Sequence, residues 1–129
     1  MKNILIEWRH FDKDGKTCER CSGTGANIVA ALGKLRVDLD SKDIKIDFKE
    51  TKLPQSQMKE SNEIWIDGIL LENLIPNAVS GENDCDSCSD LIGSSSECRC
   101  RTVRHNDEIL EEIPAELIRQ AVLNRINNN

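Results

Sequence analysis

An α/β fold built on a central mixed sheet is what this 129-residue sequence predicts, and three patterns carry that expectation. Ile4, Ile6 and Trp8 alternate with Leu5, Glu7 and Arg9, the period of a strand with one fully buried face. Ile28, Leu32, Leu35 and Leu39 recur on one face of a helix. Ile44, Ile46 and Phe48 then alternate with Lys45, Asp47 and Lys49, a second strand with one wet face. Strand, helix, strand is a βαβ unit, whose right-handed crossover makes the two strands parallel.

Each further element has its own signal. Asp14-Gly15 marks a turn after the first strand, and Thr17 can cap a helix that begins at Cys18 and runs to about Asp40. Gly23 and Gly25 weaken its first turns, so that regular helix is allowed to start as late as Ala26. The segment from Lys52 to Lys59, with Pro54 and few apolar residues, reads as a loop or a short irregular helix. Asp67-Gly68 between Ile64-Trp65-Ile66 and Ile69-Leu70-Leu71 is a strong hairpin signal. From Glu72 onward the chain turns to Asn, Asp, Ser, Gly and Cys, with Pro76, Gly81 and Gly93 as breakers. That Cys-rich insertion, about 72–100, is expected to be ordered by something other than a core. A small second hairpin is expected around Asn106-Asp107, and Ile113-Pro114 opens a C-terminal helix with Leu117, Ile118, Ala121, Val122 and Ile126 on its apolar face. The whole chain, 1–129, is read as one domain.

Composition narrows the class of function. With 38% hydrophobic and 31% charged residues, neither disorder nor a membrane span is indicated. Seventeen basic against 23 acidic side chains give a net charge of −6, which disfavours the phosphate-contacting surface a nucleic-acid partner would need. Only Ile4 to Ile6 are consecutively apolar before Glu7, against the roughly 7–15 residues of a secretory apolar stretch. Six cysteines in that setting point to a reducing, cytoplasmic compartment, where close pairs serve redox chemistry or metal binding.

Cys18 and Cys21 form a Cys-x-x-Cys pair at the start of the first helix. A thiol there meets unpaired backbone N–H groups and the positive end of the helix dipole, and Lys16 and Arg20 add to that pull while Glu19 opposes it. Cys18 is thus the expected nucleophile and Cys21 the resolving thiol, acting on a disulfide or thiol of a partner protein. The same spacing also suits zinc. Cys85, Cys88, Cys98 and Cys100 lie within sixteen residues of the insertion and can close a tetrahedral zinc shell; unmetallated or disulfide-bonded thiols are the alternative. A third arrangement joins Cys18, Cys21, Cys85 and Cys88 as one metal site or a disulfide relay. Zinc is the one cofactor these sets raise. His10 and His105 read as solvated loop or strand-end residues, Trp8 and Trp65 as core, and Asp84, Asp86 and Asp90 as a solvated acidic loop that lacks the standard calcium pattern.

The segments Thr17-Cys18-Glu19-Arg20-Cys21 through Thr24-Gly25-Ala26-Asn27, Cys85-Asp86-Ser87-Cys88, Arg101-Thr102-Val103 and Ile113-Pro114-Ala115-Glu116-Leu117-Ile118-Arg119 resemble a small prokaryotic family of thioredoxin-like proteins of unknown function. The resemblance spans nearly the whole chain and implies a thioredoxin-like fold, with Cys18 and Cys21 where thioredoxins carry their redox pair. It implies no activity of its own. The chain departs from thioredoxins before its third strand, where Lys59-Glu60-Ser61-Asn62-Glu63 contains no proline, with Ser61 or Asn62 at that position. In thioredoxins that proline helps to exclude metal from the thiol pair, so its loss strengthens the metal reading. The expectation is a thiol–disulfide oxidoreductase-like protein; the alternative is a non-enzymatic protein of the same fold that binds zinc or another soft metal.

Overall fold

A computed structural model describes residues 2–12, 19–54, 57, 61–84 and 99–127. The first strand, β1 (Lys2–Phe11), leads to helix α1 (Glu19–Asp40) and then to β2 (Ile44–Leu53). β1 and β2 pair in parallel through ten consecutive residues, from Lys2 against Ile44 to Phe11 against Leu53. On the other side of β1 runs β3 (Glu63–Ile66), antiparallel, followed by the short β4 (Ile69–Leu70). The sheet order is β2-β1-β3-β4, a mixed α/β sheet, as expected.

The β3–β4 turn forms where Asp67-Gly68 stands, because both residues take the left-handed backbone (φ 52° and 79°) that a two-residue hairpin requires. Asp67 also binds the neighbouring strand, donating its N–H to Leu5 O and accepting from Leu5 N–H through Oδ1, both at 2.8 Å. Asn106 and Asp107 repeat the solution (φ 51° and 70°) between β6 (Arg99–His105) and β7 (Glu108–Leu110), the expected second hairpin.

The described part of the segment read as an insertion, residues 72–84 and 99–100, contains more regular structure than its composition promised. A 3-10 turn, Leu71–Leu74, buries Leu71, and β5 (Ala78–Asp84) then pairs antiparallel with β6, giving a second sheet of order β5-β6-β7. Polar residues and Gly81 masked this strand in the sequence, since β5 is held by the backbone ladder with β6 rather than by an apolar face. The C-terminal helix, α2, is Ala115–Asn127.

Both helices cover one face of the four-stranded sheet. Ile4, Ile6 and Trp8 of β1 and Ile64 and Ile66 of β3 meet Ile28, Leu32, Leu35 and Leu39 of α1 and Leu117, Ile118, Ala121 and Val122 of α2 in one buried cluster, which Val103 of β6 joins. The helical stripe read from the sequence is wholly buried. Helix α1 is regular from Glu19, through Gly23 and Gly25, and so starts well before Ala26. Gly25 is needed for closeness, because a Cβ there would lie 2.7 Å from the Trp8 ring. At Gly33 a Cβ would meet nothing within 4 Å.

The opposite face carries Glu7, Arg9, Thr51 and Trp65, all partly buried. Arg9 donates to Glu7 (3.2 Å) and lies 4.9 Å from the Trp65 ring centre, and the Thr51 hydroxyl donates to Glu7 (2.8 Å). Trp65 is therefore a half-buried cover for Arg9 and not a core residue. Burial alone would raise the Glu7 carboxyl, but the Thr51 and Arg9 contacts outweigh it and hold the group below its ordinary value. No helix among the described residues is long and apolar enough to cross a membrane.

Two expectations follow. Gly25→Ala should lower stability by about 1–3 kcal/mol through overpacking against Trp8, whereas Gly33→Ala should raise it by about 0.5–1 kcal/mol; denaturant unfolding of both variants reads the contrast. Because the folded carboxyl of Glu7 is depressed, its stabilisation is present above the ordinary carboxylate value and lost as pH falls through the folded one. The stability gap between wild type and Glu7→Gln should accordingly shrink on acidification, and a gap that widens below pH ~4 contradicts the assignment.

Candidate functional site: a buried polar node under the start of the first helix

Covalent order fixes the surroundings of the first thiol pair. The residue after Cys18 is Glu19, the first of α1, and Cys21 is the third residue of that helix. Cys18 itself, with the expected cap Thr17, lies outside the described residues. Of the second set, Cys85, Cys88 and Cys98 also lie outside them, in the connection between β5 and β6; Cys100 is on β6 with its backbone paired to Asn83. The ladder is paired up to Asp84 against Arg99, the residues next to Cys85 and Cys98 in the chain. Among the described residues no group of three or more His, Cys, Asp or Glu side chains is placed to hold a metal ion.

One turn beyond Cys21, Gly25 lies close against the outer atoms of the Trp8 ring. The Trp8 indole N–H donates to Asn62 Oδ1 at 3.3 Å, and the ring stacks on His10, with centroids 3.9 Å apart and planes 17° from parallel. His10 is only 2% exposed, and its Nε2 is 2.6 Å from Glu50 Oε2. The solvated histidine expected from the sequence is thus corrected: His10 shares the inward parity of Ile4, Ile6 and Trp8 and is covered by an aromatic ring. That parity was visible in the sequence. His105 ends β6 and is partly exposed, as expected of a strand-end residue.

Ser61 and Asn62, immediately before β3, are both buried. Ser61 Oγ accepts the Phe11 N–H at 2.8 Å, and the Asn62 N–H donates to Arg9 O at 2.6 Å. Asn62 has φ 71°, a conformation that Asn tolerates better than most residues. Its carbonyl accepts from Arg101 Nη1 at 3.2 Å. Arg101 in turn forms an ion pair with Glu72, and Ser80 donates to the same carboxylate. Both charged side chains are about nineteen-twentieths buried, with exposures of 5% for Arg101 and 3% for Glu72. Burial pushes the Arg101 guanidinium down to about 10, against the opposing charge of Glu63, so it remains a cation at neutral pH.

Gly25, Trp8, Asn62, Arg101 and Glu72 therefore form a continuous chain of contacts from the first turns of α1 to the cysteine-bearing hairpin. Thr24 and Asn27 tie the same part of α1 to the entry of α2, accepting the Ile113 N–H (3.0 Å) and donating to its carbonyl (2.8 Å). Sequence reasoning missed the buried ion pair. Glu72 and Arg101 stand 29 positions apart in stretches read as polar loop and weak strand, and a lone charged residue in such a context looks solvated.

The pair makes a direct test. Arg101→Met leaves Glu72 buried without its counter-charge and should cost about 3–5 kcal/mol, while the double variant Glu72→Leu/Arg101→Met should recover most of that loss. A loss in the double variant equal to the sum of the losses in Arg101→Met and Glu72→Leu alone, measured by urea unfolding, would show that the charges are not coupled.

Residues 4–122 match the model of a protein family described as Domain of unknown function (DUF2703). The chain is also similar to an uncharacterised protein of Archaeoglobus fulgidus, 32% identical over 119 residues that cover 89% of this chain and 82% of that protein. No solved structure matches the chain.

Proposed function

We propose that this chain, which belongs to the DUF2703 family, is a thiol–disulfide oxidoreductase-like protein of thioredoxin-like fold, with Cys18 as nucleophile and Cys21 as resolving thiol. The observation that carries the reading is the start of α1 at Glu19, directly after Cys18, which follows a strand paired in parallel with β2. The strand order β2-β1-β3-β4, with both helices on one face, supports a thioredoxin-like frame. Ser61-Asn62 precedes β3 where thioredoxins carry a proline, and its buried hydrogen bonds give that corner a fixed backbone.

In this reading the Cys18 thiolate attacks one sulfur of a partner disulfide. The partner S–S bond breaks, a mixed disulfide forms, and the departing partner sulfur takes up a proton. Cys21 then loses its proton and attacks the Cys18 sulfur, and the partner leaves with its second thiol free. Two electrons pass to the partner, which gains two thiols, and Cys18 and Cys21 end as a disulfide. Helix N-terminal N–H groups favour the thiolate that starts the sequence. Trp8 beneath Gly25 gives that end of α1 a rigid apolar floor. A reducing, cytoplasmic setting suits such a dithiol.

The second reading rests on the β5–β6 ladder. Two strands paired to their last described residues bring the ends of a segment rich in cysteine side by side, which suits zinc held by Cys85, Cys88, Cys98 and Cys100 without catalysis. Protein purified under reducing conditions separates the two. Reduction of an insulin-type disulfide should fall to the uncatalysed background in Cys18→Ser, and Cys21→Ser should accumulate a mixed disulfide detectable by mass. Unchanged reduction by Cys18→Ser, together with stoichiometric zinc in the wild type, overturns the oxidoreductase reading in favour of the metal protein.

A further inference from the structure

Strand β2 is an edge of the four-stranded sheet, ten residues long and paired only with β1 among the described residues. Its register against β1 is unbroken, so N–H and C=O groups alternate strictly between the β1 side and the free side. Leu53 O accepts from Asp12 N–H at 3.2 Å, on the β1 side, which assigns the odd-numbered residues inward. Ile44, Ile46 and Phe48 therefore present their backbone donors and acceptors outward.

Beside these three residues runs a groove of about 640 Å³, bordered by Arg36 and Asp40 of α1 and by residues 43–48. Phe48 is 37% exposed, and Val37, on the turn of α1 next to the groove, is 77% exposed. Natural edge strands are usually blunted by charged side chains, lysine above all, by proline or by a bulge. Here there is no bulge, proline comes only after the strand at Pro54, and the wet face alternates in sign, Lys45, Asp47, Lys49. Lys45 and Asp47 are well exposed and form only a loose 3.8 Å pair with each other.

We infer that this edge binds a second copy of the chain, β2 against β2, antiparallel about a two-fold axis at Ile46. That register sets Ile46 opposite Ile46 and Ile44 opposite Phe48 as the hydrogen-bonded pairs, because their backbone groups are the outward ones. It sets Lys45 opposite Asp47 twice, once on each side of the axis. Other registers are poorer. A slip of one residue sends the apolar side chains to the wet face. Centring on Phe48 puts Ile46 opposite Glu50 and Ile44 opposite Lys52. The occupant is thus this chain itself: its charge order is complementary to its own reversal, and the resulting eight-stranded sheet would keep both helical layers on one side. The inference does not depend on the thiol reading, since β2's outer edge at residues 44–48 lies at the opposite end of the strand from Leu53.

The test uses the full-length protein and two charge reversals. Wild type should sediment at twice the monomer mass. Lys45→Asp and Asp47→Lys should each sediment as monomers with unchanged far-UV circular dichroism, since each places two like-charge pairs across the axis; dimer affinity should fall roughly tenfold or more. An equimolar mixture of the two variants should regain the dimer mass, because every cross-strand pair is then opposite in sign. A monomeric wild type, a dimer indifferent to both reversals, or a mixture that stays monomeric would overturn the proposal.

Discussion

Taking Arg101 and Glu72 out of water together is the constraint around which the rest of the molecule is arranged. Desolvating two ions costs several kcal/mol each unless their geometry and remaining hydrogen bonds compensate. Compensation comes from both sheets: Asn62 and Glu63 stand at the start of β3, Glu72 is in the 3-10 turn after β4, and Ser80 is on β5. Through Arg101 on β6 and Glu72 after β4, the ion pair and its hydrogen bonds bridge the two sheets. Val103, two residues on, then enters the main core on the same face of β6.

The same node reaches the start of α1 through Trp8. Its indole N–H is held by Asn62, its ring stacks on His10, and its outer atoms lie close under Gly25. These contacts set the first turns of α1 against the sheet. The first turns of α1, where Cys21 lies, and strand β6, which carries Cys100, are consequently joined to one buried centre. On the proposed reading, this is why a chain with only two Phe, two Trp and no Tyr can present a preorganised thiol: the precision comes from buried polar contacts, not from bulk.

Much of the frame was legible in the sequence because it depends on local period and turn chemistry. Ile4, Ile6 and Trp8, the stripe Ile28, Leu32, Leu35 and Leu39, and the Asp67-Gly68 turn are signals that neighbouring residues generate by themselves, and each is found in the expected element. What escaped depends on residues distant in sequence. β5 is a strand because β6 pairs with it, and His10 is buried because Trp8 and Glu50 enclose it. The regular first turns of α1 persist through two glycines because contacts at Gly25 and Thr24 hold them there, against a propensity that favours fraying. The expected thiol sites themselves lie largely outside the described residues, so chain connectivity, through Glu19, Asp84 and Arg99, is what links them to the fold.

The measurement that bears most directly on the proposed chemistry is the pH dependence of Cys18 alkylation in a variant that keeps Cys18 and replaces the other five cysteines by serine, once its fold is verified by circular dichroism. A thiol held at the start of α1 should titrate clearly below the value of a free cysteine, about 8.5. Titration at or above that value would mean that the helix end does not activate the sulfur, and the oxidoreductase account would be wrong.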